Sequence, residues 1–217
     1  SAHKQGVDEV WLQVRDDNDG AQRIYSSLGF MERIRRSTWI LDPLKARLPE
    51  RPVSPYRITR RRSGDWPAHW KWLDAVYPLG IRWNLAFYSD LFNPGLRQAL
   101  WRFFNDYYVH HWSARKGQQL CGVLSWTPSQ LAEDNLWLAM PPEEEDEIIP
   151  VLLPQAVRAH FSLKPMTLNY PAGRADDALR TAGLVKQNTL VWMEKLFTPD
   201  SYPVKGLLNA GPVPGQS

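Results

Sequence analysis

Hydrophobic and polar positions alternate most regularly near the start of the chain. Val10, Leu12 and Val14 interleave with Trp11, Gln13 and Arg15, the period of two that a pleated strand requires. Asp16, Asp17 and Asn18 follow, short acceptors that cap a helix and suit its positive dipole end. Ala21, Ile24, Tyr25 and Leu28 then recur at i, i+3, i+4 and i+7, which predicts one apolar helix face. Gly29 stands where the helix must end, at the position that favours a left-handed residue. Ser37–Leu41 is β-branched and aromatic, a closing strand for this unit. Pro43, Pro49, Pro52 and Pro55 mark the stretch 43–55 as a linker.

The second part of the chain reads as a longer series. Tyr56–Arg62 predicts a strand, with Arg60, Arg61 and Arg62 as a solvated edge. Asp65–Tyr77 predicts a helix, capped by Asp65 with Pro67 in its first turn. Its apolar face is Trp66, His69, Trp70, Leu73, Val76 and Tyr77. A second helix spans Pro94–Tyr108, with Leu96, Leu100, Phe103, Phe104 and Tyr107 at helical spacing. Between them, Leu79–Asn93 is rich in aromatics, most of them expected in the core, and is a candidate substrate-side loop. Val109–Ser113 and Gln118–Trp126 form a hairpin across Lys116-Gly117, and Asn135–Met140 a further strand. Glu143–Phe161 is helical, but Pro150 and Pro154 predict two short helices or a kink. Strand Met166–Tyr170, helix Arg174–Thr181 and strand Gln187–Phe197 close the series. From Thr198 onward, proline and glycine predict a tail with little fixed structure.

The two parts answer each other. A shift of 154 positions carries Leu12 onto Met166, Val14 onto Leu168, Ala21 onto Ala175, Gly29 onto Gly183 and Phe30 onto Leu184. Strand, helix, glycine and strand therefore occur twice. Small and apolar positions are kept, whereas Asn18 falls on Ala172 and Tyr25 on Leu179. Packing is repeated and polar chemistry is not.

Composition narrows the field. The 217 residues hold 43% hydrophobic and 23% charged side chains, ordinary for globular protein. Eleven Trp promise large aromatic packing units. The single Cys121 forbids an intrachain disulfide, which suits a reducing cytoplasm. No run of apolar residues is long enough to span a membrane, and Ser1–Gly6 lacks the apolar core of a signal peptide. A net charge of +3 permits an anionic ligand and does not suggest nucleic acid. Adjacent His110 and His111 point to opposite faces of a strand and cannot share a metal, and the reading assigns no metal site. No nucleophile elbow or Walker loop is present.

The spacing Leu12, Val14, Asn18, Ala21, Tyr25, Gly29, Phe30 resembles the fifth strand and fourth helix of the GNAT superfamily of acyl-CoA N-acyltransferases. The resemblance covers about twenty residues. It implies an α+β or α/β fold with a mixed central sheet flanked by helices. It implies acetyl-CoA as cosubstrate, with Asn18 and Ala21 at the helix start against the coenzyme A arm. Tyr25 would protonate the departing thiolate. A small-molecule or peptide amine would be the acceptor, and a homodimer is an expected assembly. The family's glycine-rich pyrophosphate turn, Q/R-x-x-G-x-G/A, does not occur. Where the second unit should carry it, the chain reads Pro141-Pro142 and then five consecutive carboxylates, Glu143 to Glu147. These read as acids in the first turn of a helix, favoured by its dipole. The expectation is thus the C-terminal part of a tandem GNAT-like enzyme. Residues 1–42 are half of a first unit, 56–197 a degenerate second one that has lost its cofactor, and 198–217 a tail. The alternative is a non-catalytic GNAT-like binding or scaffold module.

Overall fold

The computed structural model describes residues 9–45, 54–105, 107–159 and 164–197. The predicted tail and most of the proline-rich linker lie outside them. Eight strands form one mixed sheet in the order β1-β8-β2-β7-β6-β5-β4-β3. In chain order they are β1 (Glu9–Arg15), β2 (Met31–Leu41), β3 (Arg57–Arg60), β4 (His110–Lys116), β5 (Gln119–Thr127), β6 (Asp134–Ala139), β7 (Met166–Pro171) and β8 (Val185–Leu196). The predicted repeat is visible here. Strand β1, helix α1 (Asp19–Ser27) and β2 form one copy; β7, helix α7 (Asp176–Thr181) and β8 form the other. Replacing each strand by its repeat partner leaves the run β1-β8-β2-β7 the same when read from the other end.

By its contacts the chain divides into two units. The smaller comprises the residues up to Arg33 and from Val191 onward, so the division falls inside β2 and β8. Its core is Val14, Val191 and Met193, with Leu12, Ala21, Tyr25 and Phe30 packed against them. Gly29 ends α1 at φ +86°, as its position predicts. Lys195 donates to the carbonyl of Leu28 at 2.7 Å, a cation placed at the helix's negative end. Only part of the expected apolar face of α1 is used: Ile24 and Leu28 are exposed. Among the described residues, the core of this unit meets the helix through Ala21 and Tyr25.

The larger unit runs from Ile34 to Leu190. Strands β3, β4, β5 and β6 pair antiparallel in turn, β2 pairs antiparallel with β7, and β6 and β7 are parallel. The β4–β5 hairpin turns at Gly117, at φ +61°. Helix α2 (Trp66–Val76) and the short helices α3 (Leu79–Arg82) and α4 (Ser89–Phe92) precede α5 (Leu96–Phe104). Helix α6 (Glu145–Ala159) links β6 to β7. Register separates the two faces. Trp137 pairs with Ser125 and packs on Tyr77, Phe87 and Phe92, while a Cβ on Gly122 would meet Ile148 of α6. These residues point to opposite sides of the sheet.

Three expectations are corrected. Of the two readings offered for 143–161, two short helices are excluded, because α6 is one helix with Pro150 and Pro154 inside it. Ile148, Ile149, Leu152 and Leu153 are fully buried there; at about 2 kcal/mol each they outweigh about 3 kcal/mol for each proline. Helix α5 is shorter than predicted and turns its aromatics outward, leaving Phe103 and Phe104 79% and 78% exposed. Its inner side carries Arg102, which donates to the carbonyls of Leu91 and Asn93 at 2.9 and 3.0 Å. Those carbonyls bend away from helical pairing and need a donor. Asp65, expected as the cap of α2, makes no side-chain cap bond. Its carboxylate instead accepts from the Arg62 backbone N–H at 2.7 Å and pairs with Arg115.

Candidate functional site

At the C-terminal end of β1, the chain turns into α1 through Asn18. Its Oδ1 accepts the Ala21 N–H at 3.0 Å, so the two residues expected at the cofactor are bonded to each other in one helical turn. Gln22 pins the turn by donating to the carbonyls of Arg15 and Asp16 at 3.3 and 3.1 Å. Tyr25 follows one turn after Ala21 on the same face. Its ring meets Phe30 edge-on at 5.8 Å and packs on the Val14–Val191–Met193 core. With its oxygen committed to the cap, Asn18 has its amide NH2 to offer a ligand. Asp16, Asp17 and Asp19 surround the helix start, and Asp17 pairs with Arg15 at 2.8 Å. Such a rim suits a neutral polar group and repels an anionic one.

A second constellation lies within the larger unit, where β6 and β7 part. The two strands pair from Asp134 with Met166 to Leu136 with Leu168. Beyond that point a side chain meets one backbone group on each strand. The Leu138 N–H donates to the Tyr77 hydroxyl at 3.3 Å. The carbonyl of Asn169 accepts from Arg36 at 2.8 Å, and its side-chain oxygen accepts from the same guanidinium. Arg36 also donates to the Val76 carbonyl at 2.7 Å and stacks on the Tyr77 ring at 5.1 Å. From the α6 face, Tyr170 donates to Glu145 at 2.6 Å and Arg174 pairs with the same carboxylate.

Arg36, Tyr77, Tyr170 and Glu145 are deeply buried. Burial lowers Arg36 to about 10 and raises Tyr77 to about 12. Burial and the neighbouring Glu145 carboxylate hold Tyr170 well above its ordinary value. Glu145 stands in the first turn of α6, as expected, but it is only 4% exposed, held by Tyr170 and Arg174. Sequence reading did not single out Arg36, Tyr170 or Arg174. The visible signal was an arginine opening the apolar half of a strand and two tyrosines on apolar faces, which resemble ordinary packing.

A third cluster joins residues far apart in sequence. His111 faces inward and bonds Ser125 Oγ at 2.7 Å, while His110 on the other face lies against Trp112 and Trp126. The inward ring meets His69 of α2 edge-on at 5.8 Å, and His69 Nδ1 contacts Arg61 Nη1 at 2.8 Å. Arginine can only donate, so Nδ1 is the acceptor. Burial holds both rings well below 6.5, and Arg61 adds to it. Among the described residues, no group of three His, Cys, Asp or Glu is placed to hold a metal ion.

No family model matches the chain, and no curated protein matches it in sequence. Solved structures do match. A GCN5-related N-acetyltransferase from Sphaerobacter thermophilus aligns at TM-score 0.55 and 15% identity, over 87% of this chain and 60% of that one. One from Kribbella flavida aligns at 0.55 and 12%, over 85% and 67%. A functionally unknown conserved protein from Staphylococcus epidermidis aligns at 0.55 and 12%, over 89% and 75%. The chain thus spans 60% of the length of the first of these relatives. Identity this low carries architecture and no residue roles. The strand order, the parallel β6–β7 pair with its connecting helix and these alignments agree: this chain has the GNAT superfamily fold.

Proposed function

We propose that the protein serves acyl transfer from acetyl-CoA to an amine, and that the β1–α1 junction contributes to the acyl-CoA site. The observation that carries this reading is that Asn18 caps α1 at the end of β1 and that Ala21 and Tyr25 follow on one face of that helix. Acetyl-CoA supplies the activated acyl group. Asn18 donates its amide NH2 to the neutral arm, and the exposed first turn of α1 takes up the arm's length. Tyr25, half-buried beside Phe30, holds a proton on its phenol oxygen for the departing thiolate. The acceptor amine loses its proton to a base or to water. A small-molecule or peptide amine is the acceptor class.

A thermal unfolding scan of this chain with and without acetyl-CoA tests the reading. At a hundred times its dissociation constant, the ligand stabilises the folded state by about 2.7 kcal/mol, a clear rise in Tm. No rise with a large excess of acetyl-CoA removes the site from this chain. In active protein, Tyr25→Phe is expected to lower turnover about 100-fold and to leave acetyl-CoA affinity unchanged. Equal turnover in both proteins takes Tyr25 out of the mechanism.

A further inference from the structure

Parallel strands joined by a helix offer a ligand crevice beyond the point where they separate, at their carboxyl ends. In the larger unit that point is the parting of β6 and β7, just after Leu136 and Leu168. An extended ligand entering there would bond to the backbone groups that the strands no longer share. Two of those groups are already taken. Tyr77 holds the Leu138 N–H on β6, and Arg36 holds the Asn169 carbonyl on β7.

We propose that the parting of β6 and β7 is a ligand crevice permanently filled by the protein's own side chains, so that residues 34–190 bind no acyl-CoA. Tyr77 and Arg36 fill it from the α2 face, stacked on each other. Tyr170, Glu145 and Arg174 fill it from the α6 face. Glu145 stands in the first turn of α6, where an anion is favoured by the helix dipole. A carboxylate of the chain thus sits where a bound phosphate would compete for the same charge. Displacing it would leave Arg174 without its partner and strand a buried acid. Displacing Arg36 would strip both Asn169 acceptors and the Val76 carbonyl of their donor. The crevice is closed by satisfied polar bonds from both faces, not merely by apolar bulk.

Amide NMR of the whole chain with acetyl-CoA added in large excess tests this. The resonances of Leu138, Met140, Asn169 and Tyr170 are expected to stay in place. Movement of Leu138 and Asn169 together overturns the proposal. Shifts confined to Asn18–Tyr25 support both this proposal and the acyl-CoA site at β1–α1. No shift anywhere supports the filled crevice and refutes that site, so the two readings fail separately. Hydrogen exchange adds an independent arm: Tyr77→Phe removes the acceptor of the Leu138 N–H and should speed its exchange about tenfold, with Leu136 unchanged. An unchanged Leu138 rate overturns the role given to Tyr77.

Discussion

Mild acid should unfold this protein through two histidines. His69 and His111 are both buried and neutral, with Arg61 facing both rings and Arg102 and His110 also near His111. In the unfolded chain each regains its ordinary value near 6.5. Below that pH the unfolded state therefore binds two more protons than the folded state, and stability falls as pH falls. From about pH 7.5 to about pH 5.5, each ring costs about 1.4 kcal/mol, or about 2.7 kcal/mol for the pair. His110 is also lowered, but it is exposed and solvent screens its share. The assay is urea unfolding followed by tryptophan fluorescence at the two pH values. His69→Gln and His111→Gln should each remove about half of the pH-dependent loss, whatever they do to stability at neutral pH. A loss of the same size in both variants would refute the reasoning, because the protons would then be entering elsewhere.

Two further outcomes follow from the packing. Arg174→Ala leaves the Glu145 carboxylate buried with only Tyr170 as donor and should cost about 3 kcal/mol in urea unfolding. Glu145→Gln, which keeps an acceptor for Tyr170, should cost less, and the reverse order would contradict the pairing. Gly122→Ala would set a Cβ 3.0 Å from Ile148 Cγ2 and 3.1 Å from Met140 Cβ, an overpacking of about 2 kcal/mol. Full stability of that variant in a melting scan would show that β5 and α6 yield more easily than the contact distances imply.

Local rules carried most of the secondary structure. Alternation placed β1, the Asn18 cap bonds Ala21, and the two glycines at the repeat's helix ends adopt φ +86° and +95°. These outcomes depend on a few neighbouring residues and their own backbone preferences. The internal repeat was legible for the same reason, since small and apolar positions answer to packing within each copy. The filled crevice was not. Arg36 and Asn169 stand 133 positions apart, and no spacing rule joins them.

The sequence by itself determined most of the helices and strands, though not all of their ends, and that the strand–helix–glycine–strand unit occurs twice. Tertiary structure decided which apolar faces are used. In α5, Phe103 and Phe104 are exposed while Arg102 bonds the carbonyls of Leu91 and Asn93, and α6 crosses two prolines because its Ile and Leu side chains are buried. It also decided the burial of Glu145, which local rules place only at a helix start. Tyr170 on β7 and Arg174 in the turn after it make it a buried partner. Capping and periodicity act within a turn or two of chain, whereas burial and charge pairing depend on what the fold brings alongside.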